Sequence, residues 1–273
     1  MRRDVSLLPV FLRGFFFQAL WNYPRMQGIG FLFTILPAAR RLFPDRAARI
    51  RFMRRHSCFF NTQPYCSSVA VGQILRGEVD LSRKTQPRSP KDDSGGGTTA
   101  EEELLRLKES FCGPLGLIGD QVFWQLLKPI AAAAGMQAAM LAGRSGQTAA
   151  LLGAVVMLLL FNPLHMWMRW WGLKIGFFHD AEQTRRMIGR RLSYIRDLLS
   201  QFGFYLVFVL IVIAFTFVRT QFDGSSRLGI RPAWVSFLIS FSAMVALLRV
   251  RVSLPVILLA ISLLCLIPAL LLD

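Results

Sequence analysis

The sequence predicts an all-α, polytopic integral membrane protein. Hydrophobic residues make up 53% of the 273-residue chain and charged residues only 18%, whereas a soluble fold needs more polar residues to cover its surface. Three runs near the C-terminus carry no charge: residues 202–218, 232–248 and 252–272. At about 1.5 Å per helical residue, each run is long enough to cross a hydrocarbon core of roughly 30 Å.

The N-terminal segment predicts an amphipathic helix at the membrane interface. Residues 1–21 imitate a signal peptide, with a basic head followed by apolar residues. However, Arg13 interrupts the apolar part, and bulky residues stand where a cleavage site requires small ones. We therefore expect this segment to be retained and to lie in the plane of the interface.

The middle of the chain is less regular than the C-terminal part. Residues 129–143 are small and apolar but short for a crossing, and residues 147–168 form a longer apolar run. Pro163 predicts a break near the end of this second helix. Because irregular backbone cannot face lipid, we expect broken or re-entrant helices that line a cavity.

A polar stretch separates the N-terminal part from the middle membrane region. Residues 82–103 are rich in Ser, Pro, Gly and mixed charge, which predicts a flexible linker. The chain then divides into four regions, which are an N-terminal amphipathic and re-entrant region (1–80), the polar linker (81–110), a middle membrane region (111–180) and the C-terminal transmembrane helices (181–273).

The charge balance is strongly basic, with 32 Lys and Arg against 16 Asp and Glu and a net charge of +16. Arginine clusters at 40–55 and 184–196. Such clusters are typical of cytoplasmic loops and of surfaces facing anionic lipid, and the apolar spans favour this interpretation over a nucleic-acid partner. A basic protein that lies on the membrane surface without a partner subunit remains an alternative.

The residue types that support catalysis are sparse. None of the histidines, at positions 56, 165 and 179, belongs to a motif with an obvious Ser, Cys or carboxylate partner, and the four cysteines lack metal-ligand spacing. Carboxylates are nearly absent from the apolar sequence. We expect no catalytic residue, no metal site and no cofactor.

An uncharged polar trio, Asn61, Thr62 and Gln63, precedes Pro64 in an otherwise oily stretch. Amide and hydroxyl groups both donate and accept hydrogen bonds, as sugar hydroxyls do. Pro64 interrupts helical hydrogen bonding and leaves local carbonyl groups free. The trio therefore suits a sugar-binding element, whereas its spacing alone favours a solvated turn between two helices.

Two further segments contribute candidate binding residues. Gln18, Trp21 and Asn22 alternate polar groups with flat apolar rings, which suits either stacking on a sugar or an aromatic belt at the interface. Asp120 lies between a Gly-rich approach and an aromatic helix start. A carboxylate beside membrane sequence indicates function, whereas Gly119-Asp120 also fits a helix N-cap, and the two interpretations are compatible.

Three segments carry a resemblance to a known family. Residues 11–44 contain WNYPRMQ, residues 54–68 contain FFNTQPYC and residues 113–124 contain GPLGLIGDQVFW. In their order and spacing these segments resemble the IID subunit of mannose-type sugar phosphotransferase systems. Asn61 and Gln63 match the family's Asn-Thr-Gln element, and Asp120 matches the Gly-Asp of its second signature.

The resemblance implies a multi-pass transport subunit of the bacterial inner membrane. Such a subunit forms the translocation path for a hexose with a IIC membrane partner, in a hetero-oligomer within the lipid bilayer. Soluble IIA and IIB phosphocarrier proteins transfer the phosphoryl group, so the IID subunit itself is not the enzyme.

The sequence also departs from the family pattern. Pro24 stands where an acidic residue is usual, Gln121 follows Gly-Asp where Pro or Ser is usual, and the loop at 219–231 is short. The 82–103 linker is unusually rich in Ser, Gly and charged residues. A divergent regulatory or scaffold subunit that does not transport is therefore the alternative function.

Overall fold

The computed structural model describes residues 5–85, 96–142 and 146–222. The chain forms two compact units, residues 1–203 and 204–273. Two predicted spans, 232–248 and 252–272, lie outside the described residues. The described part is mostly helical and contains no strand, which confirms the all-α class. Its α-helices are α1 (Leu7–Arg13), α2 (Gly28–Leu42), α3 (Arg46–His56), α4 (Ser67–Thr85), α5 (Gly96–Ser110), α6 (Cys112–Gly119), α7 (Lys128–Leu141), α8 (Gly146–Phe178) and α9 (Ala181–Phe222).

Two other helix types extend this framework. A short 3₁₀ helix, Gly14–Phe16, follows α1, and a π-helix, Asp120–Leu127, joins α6 to α7. The run of helical residues from Cys112 to Leu141 is therefore continuous. The N-terminal segment is helical where an amphipathic helix is expected, and its position at a membrane interface stays a prediction.

Glycine residues allow α4 and α8 to pack closely. A Cβ added at Gly176 would lie 2.3 Å from the carbonyl oxygen of Val69, and one added at Gly72 would lie 2.4 Å from that of Leu173. Both distances are shorter than real Cβ contacts, so only glycine permits this approach of the two backbones.

Helix α8 is longer than the sequence predicted. It runs from Gly146 through Pro163 to Phe178 without interruption, so the predicted break near Pro163 is wrong. The half of the helix after the proline packs against α4, and such contacts compensate for the hydrogen bond that a proline removes. Among the described residues, α8 is the one helix that is both long and apolar enough to cross a membrane.

The predicted linker is helical at both ends. Helix α4 continues to Thr85 and α5 begins at Gly96, so a flexible structure is the wrong prediction for 82–85 and 96–103. Residues 86–95 lie outside the described part. Helix α5 is anchored because Leu104 is buried beside Gly77 and Glu101 forms an ion pair with Arg55 at 2.9 Å.

A buried ionic cluster connects α3, α4 and α5. Arg55 donates to both carboxylate oxygens of Glu78, at 2.8 and 2.9 Å, and His56 Nε2 lies 2.6 Å from Glu78 Oε1. Burial lowers the pKa of His56, and the neutral ring then donates from Nε2. Lys108 of α5 is also buried and donates to the carbonyl oxygen of His56 at 3.3 Å.

Candidate functional site

The polar trio is held by the loop that precedes α2. Gln27 N–H donates to the Phe60 carbonyl at 2.8 Å, and Phe60 N–H donates to the Arg25 carbonyl at 3.3 Å. Met26, between Arg25 and Gln27, has a φ of 49°, in the left-handed region. The loop therefore runs beside the stretch before Asn61 and fixes its backbone.

The side chain of Gln27 continues this pairing. Its Nε2 donates to the Thr62 carbonyl at 2.8 Å, and its Oε1 accepts from the Thr62 N–H at 3.0 Å. Gln27 is 3% exposed. The Gln27 amide thus satisfies the backbone N–H and the backbone carbonyl of Thr62 in a buried position, as a neighbouring strand would.

Gln63 caps the start of α4. Its side-chain Oε1 accepts from the backbone N–H groups of Tyr65 and Cys66, at 2.6 and 3.1 Å, and its carbonyl accepts from Ser67 at 3.0 Å. Pro64, between Gln63 and Tyr65, has no backbone N–H and therefore leaves no donor to be satisfied. The side chain that the sequence offered for sugar contact is therefore turned towards its own helix start and is 1% exposed.

Helix α6 approaches the trio through glycine. A Cβ at Gly119 would lie 2.6 Å from Gln63 Cβ, and one at Gly116 would lie 3.7 Å from Thr62 Oγ1. The Thr62 hydroxyl donates to the Cys112 carbonyl at 2.9 Å, at the beginning of α6. This hydrogen bond and the glycine face thus join two segments that lie about 50 residues apart in the chain.

Asp120 is the first residue of the π-helix, and Trp124 lies four residues further on. The helical backbone continues from α6 through Asp120, and no side-chain cap hydrogen bond is present there, so the N-cap interpretation is wrong. π-helical turns inside longer helices occur frequently at functional sites. Here the π-helix presents a carboxylate and an indole to the same cleft.

An open cleft of about 440 Å³ lies between the trio and α6. Its lining is mostly polar and uncharged, and among the described residues Asp120 is the one charged side chain that lines it. The lining residues are Gln18, Gln27, Asn61, Thr62, Pro64, Cys112, Gly113, Gly116, Leu117, Asp120 and Trp124. Such a surface can hydrogen-bond an uncharged polar ligand and offers one aromatic ring for stacking.

The structure brings four of the seven predicted site residues into this cleft, which are Gln18, Asn61, Thr62 and Asp120. The other three do not line it. Trp21 is exposed, Gln63 is buried, and the Asn22 side chain accepts from Arg25 N–H at 3.0 Å within its own turn.

Seven lining residues were not among the predicted site residues, and two of these, Gln27 and Trp124, carry an amide and an aromatic ring. Both stand inside the segments that carried the family resemblance, and Trp124 follows Asp120 at a spacing that one helical turn brings together. Their placement depends on the path of the loop before α2 and on the π-helix, and neither feature has a clear sequence signal.

Tyr65 connects the cleft to the interior of the helical unit. Its ring lies 6.1 Å from the Trp124 ring and stacks on His165 at 4.8 Å. The Arg169 guanidinium lies 5.0 Å from the Tyr65 ring centroid and 5.1 Å from that of Phe15. Aromatic faces thus surround a buried cation that forms no ion pair within the described residues.

Comparison with known proteins identifies the family to which the chain is similar. Residues 3–271 match the model of the IID component of the mannose/fructose/sorbose family of phosphotransferase (PTS) systems. The mannose-specific EIID component of Escherichia coli K12 is 32% identical over 203 residues, which are 74% of this chain and 65% of that protein. The sorbose-specific EIID component of Klebsiella pneumoniae is 29% identical over 206 residues, which are 76% of this chain and 68% of that protein.

Two solved structures share the fold. One, described as a membrane protein, is 27% identical with a TM-score of 0.65, and the match covers 97% of this chain and 96% of that one. The other, from the complex of the mannose transporter ManYZ with microcin E492, is 26% identical with a TM-score of 0.55 and covers 97% and 95%.

The matched region spans about 65% of the length of the E. coli relative. The family match nevertheless extends over nearly all of this chain and includes every residue that lines the cleft. The chain therefore belongs to the mannose/fructose/sorbose family of PTS IID components, which are membrane proteins.

Proposed function

We propose that the chain is a sugar-transport subunit of a mannose-type PTS and that the cleft beside Asn61 binds the sugar. The observation that supports this is the cleft lining, in which uncharged amide and hydroxyl groups surround one carboxylate and one indole. Sugars present several hydroxyl groups, each of which donates and accepts. Amide groups match that pattern, whereas fixed cations do not.

Within the cleft each residue has a distinct role. The exposed amides of Asn61 and Gln18 supply hydrogen bonds to hydroxyl groups, and Asp120 accepts from two of them. Trp124 offers an apolar ring face for stacking. Gln27 and Gln63 position the backbone that carries Asn61.

The transport cycle requires partner subunits, and one similar solved structure is part of the mannose transporter ManYZ. We propose that a IIC subunit completes the sugar path in a hetero-oligomer of the bacterial inner membrane, with the chain crossing the bilayer several times. IIA and IIB proteins then phosphorylate the sugar, which prevents its return. One site that opens alternately to the two sides of the membrane lowers the barrier for the sugar to cross.

The test is uptake of a labelled hexose by cells that express the chain with its IIC, IIA and IIB partners. Asn61→Ala removes an exposed amide without removing a hydrogen bond that holds the fold, so we expect a several-fold rise in KM with normal assembly. Gln125→Ala is the control, because Gln125 is exposed on the same π-helix but does not line the cleft. Equal KM values for the two variants would contradict the site.

A regulatory or scaffold subunit is the alternative function, and the family match and the similar transporter structure do not favour it. Under that hypothesis the intact complex assembles but takes up no hexose. Measuring uptake by the wild-type complex alongside its co-purification with the IIC subunit separates the two functions.

A further inference from the structure

The structure divides the seven arginines between residues 40 and 55 into two groups. Arg49 donates to the carbonyl oxygens of Phe43 and Pro44 at the end of α2, and Arg55 pairs with Glu78. The remaining five are exposed, and none of them pairs with a carboxylate among the described residues. These are Arg40, Arg41, Arg46, Arg51 and Arg54.

Helix α3 has a buried face and an exposed face. Phe52, Arg55 and His56 are buried, so the opposite side of the helix is turned outward. That side carries three of the free arginines together with Ile50 and Met53, which are 38% and 37% exposed. Basic and apolar side chains therefore share one continuous surface, and this combination is typical of helices that lie in a membrane interface.

Little negative charge opposes these arginines. Asp45 is the one carboxylate between residues 40 and 55, and its side chain accepts from Ala48 N–H at 2.8 Å as the N-cap of α3. A fixed acidic partner within the described chain is therefore missing, and the positive charge is available to an external anion.

We propose that the exposed face of α3, together with Arg40 and Arg41 at the end of α2, binds the phosphate groups of anionic phospholipids. Guanidinium groups bind phosphate with paired hydrogen bonds, and Ile50 and Met53 reach the boundary between headgroups and acyl chains. None of these residues lines the cleft, so the inference does not depend on the proposed sugar site.

A lipid surface fits these observations better than an acidic protein does. The five arginines are not held in place by hydrogen bonds to the described chain, so they can follow mobile headgroups. A protein interface, by contrast, gains most of its affinity from well-packed central residues in pockets. Here the apolar residues Ile50 and Met53 stand between charged ones instead of forming such a centre.

The first experiment identifies what lies against α3 in the membrane. The full chain is expressed in bacteria with its partners and with p-benzoylphenylalanine in place of Met53, and the cells are irradiated. We expect mass spectrometry to find phospholipid attached to this position. Attachment to another polypeptide, or no attachment to lipid, would overturn the proposal.

The second experiment measures the charge contribution. The purified chain in detergent, with any subunit that co-elutes, is titrated with fluorescent phosphatidylglycerol and with phosphatidylcholine. For the triple variant Arg46→Gln, Arg51→Gln, Arg54→Gln we expect about 10- to 100-fold weaker binding of phosphatidylglycerol at low salt, since each basic residue near an anionic surface contributes about tenfold or less. Binding by the wild type should also weaken as salt is added.

A second triple variant provides the matched control. Arg106 and Arg186 are exposed and Arg196 is half-buried, and each contacts a neighbouring carboxylate, at 4.0, 2.9 and 2.8 Å. Changing all three to Gln removes the same formal charge. We expect this variant to bind phosphatidylglycerol within about threefold of the wild type, and an equal loss in the two triple variants would show that only net charge matters and would refute a specific α3 surface.

Discussion

Three consecutive residues, Asn61, Thr62 and Gln63, have three different roles. The Asn61 side chain is exposed in the cleft, the Thr62 hydroxyl bonds to α6, and the Gln63 amide caps α4. The sequence indicates that this stretch is polar and lies at a helix break. It cannot separate the three roles, because the direction of each side chain depends on the backbone pairing with the distant Gln27.

The sequence alone also does not identify which aromatic residue lines the cleft. The sequence offers Trp21 for stacking because polar and aromatic residues alternate around it, yet Trp21 does not line the cleft. Trp124 does, because the π-helix places it on the side of Asp120. Composition can therefore predict that an aromatic residue meets the ligand, but not which one.

Trp124→Ala should weaken binding of a ring sugar if the proposed function is correct. Loss of a stacking contact of about 0.5–1.5 kcal/mol corresponds to about a 2- to 12-fold rise in Kd. An open-chain hexitol has no ring face, so its weaker binding should change little. Sugar binding to the purified complex, measured by calorimetry with both ligands, provides the comparison.

The chain contains a matched control for this variant. Trp124 and Trp170 each have a lysine four residues later over the ring, at 4.8 and 4.7 Å, but Trp170 does not line the cleft. Trp170→Ala should therefore leave the hexose Kd unchanged. If the two variants lose equal affinity, the effect comes from the lost Trp–Lys pair and not from stacking.

At the scale of elements, the sequence predicts the presence of helices better than their ends. The apolar run from 147 to 168 correctly indicates a membrane-length helix, and the structure extends it to Phe178. The proline rule failed at Pro163 because tertiary contacts outweigh one lost hydrogen bond. Composition failed at 96–103 because α5 gains its stability from contacts with Arg55 and Gly77, which lie on other elements.

The pairing of α4 with α8 should depend on the absence of a side chain at Gly176. Gly176→Ala places a methyl group 2.3 Å from the Val69 carbonyl oxygen, so the backbones must separate. We expect a loss of about 1–3 kcal/mol in stability, seen as a lower unfolding temperature in detergent and weaker sugar binding.

Gly189 of α9 is the control for this helix-packing variant. A Cβ at this position meets no atom within 4 Å. Gly189→Ala should be neutral or stabilise by up to about 1 kcal/mol, because alanine favours helix over glycine. A similar loss of stability in both variants would contradict the packing argument.

For the whole molecule, local sequence patterns identified the class and the family, whereas long-range contacts determine how the unit holds together. Gln73 of α4 donates to the His179 carbonyl at 2.9 Å and to the Thr184 hydroxyl at 2.6 Å, more than 100 residues away. His56 has a carboxylate partner, Glu78, that no sequence motif indicated. Buried polar pairs of this kind follow from the tertiary arrangement and leave no periodic signal.

The His56–Glu78–Arg55 cluster predicts how the stability of the unit that contains it depends on pH. Burial holds the pKa of His56 below its ordinary value of 6.5. For Glu78, burial favours a higher pKa, but the hydrogen bonds from His56 and Arg55 outweigh it and hold the pKa below 4.5. Both groups therefore bind fewer protons in the folded state than in the unfolded state at acidic pH.

Lowering the pH therefore destabilises the folded state of this unit. The contribution of His56 to the free energy of unfolding is fully present above pH 6.5 and decreases as the pH falls towards 5, by up to about 1.4 kcal/mol per pH unit for the one proton. Glu78 adds to the loss when the pH falls below the ordinary pKa of a glutamate. Thermal unfolding of the detergent-solubilised chain between pH 8 and pH 5 measures this. His56→Gln can still donate to Glu78 but does not titrate, so its unfolding temperature should vary less with pH, whereas His179→Gln, outside the cluster, should keep the wild-type slope. A wild-type unfolding temperature that stays constant from pH 7.5 to pH 5 would contradict the prediction that protonation of His56 destabilises the folded state.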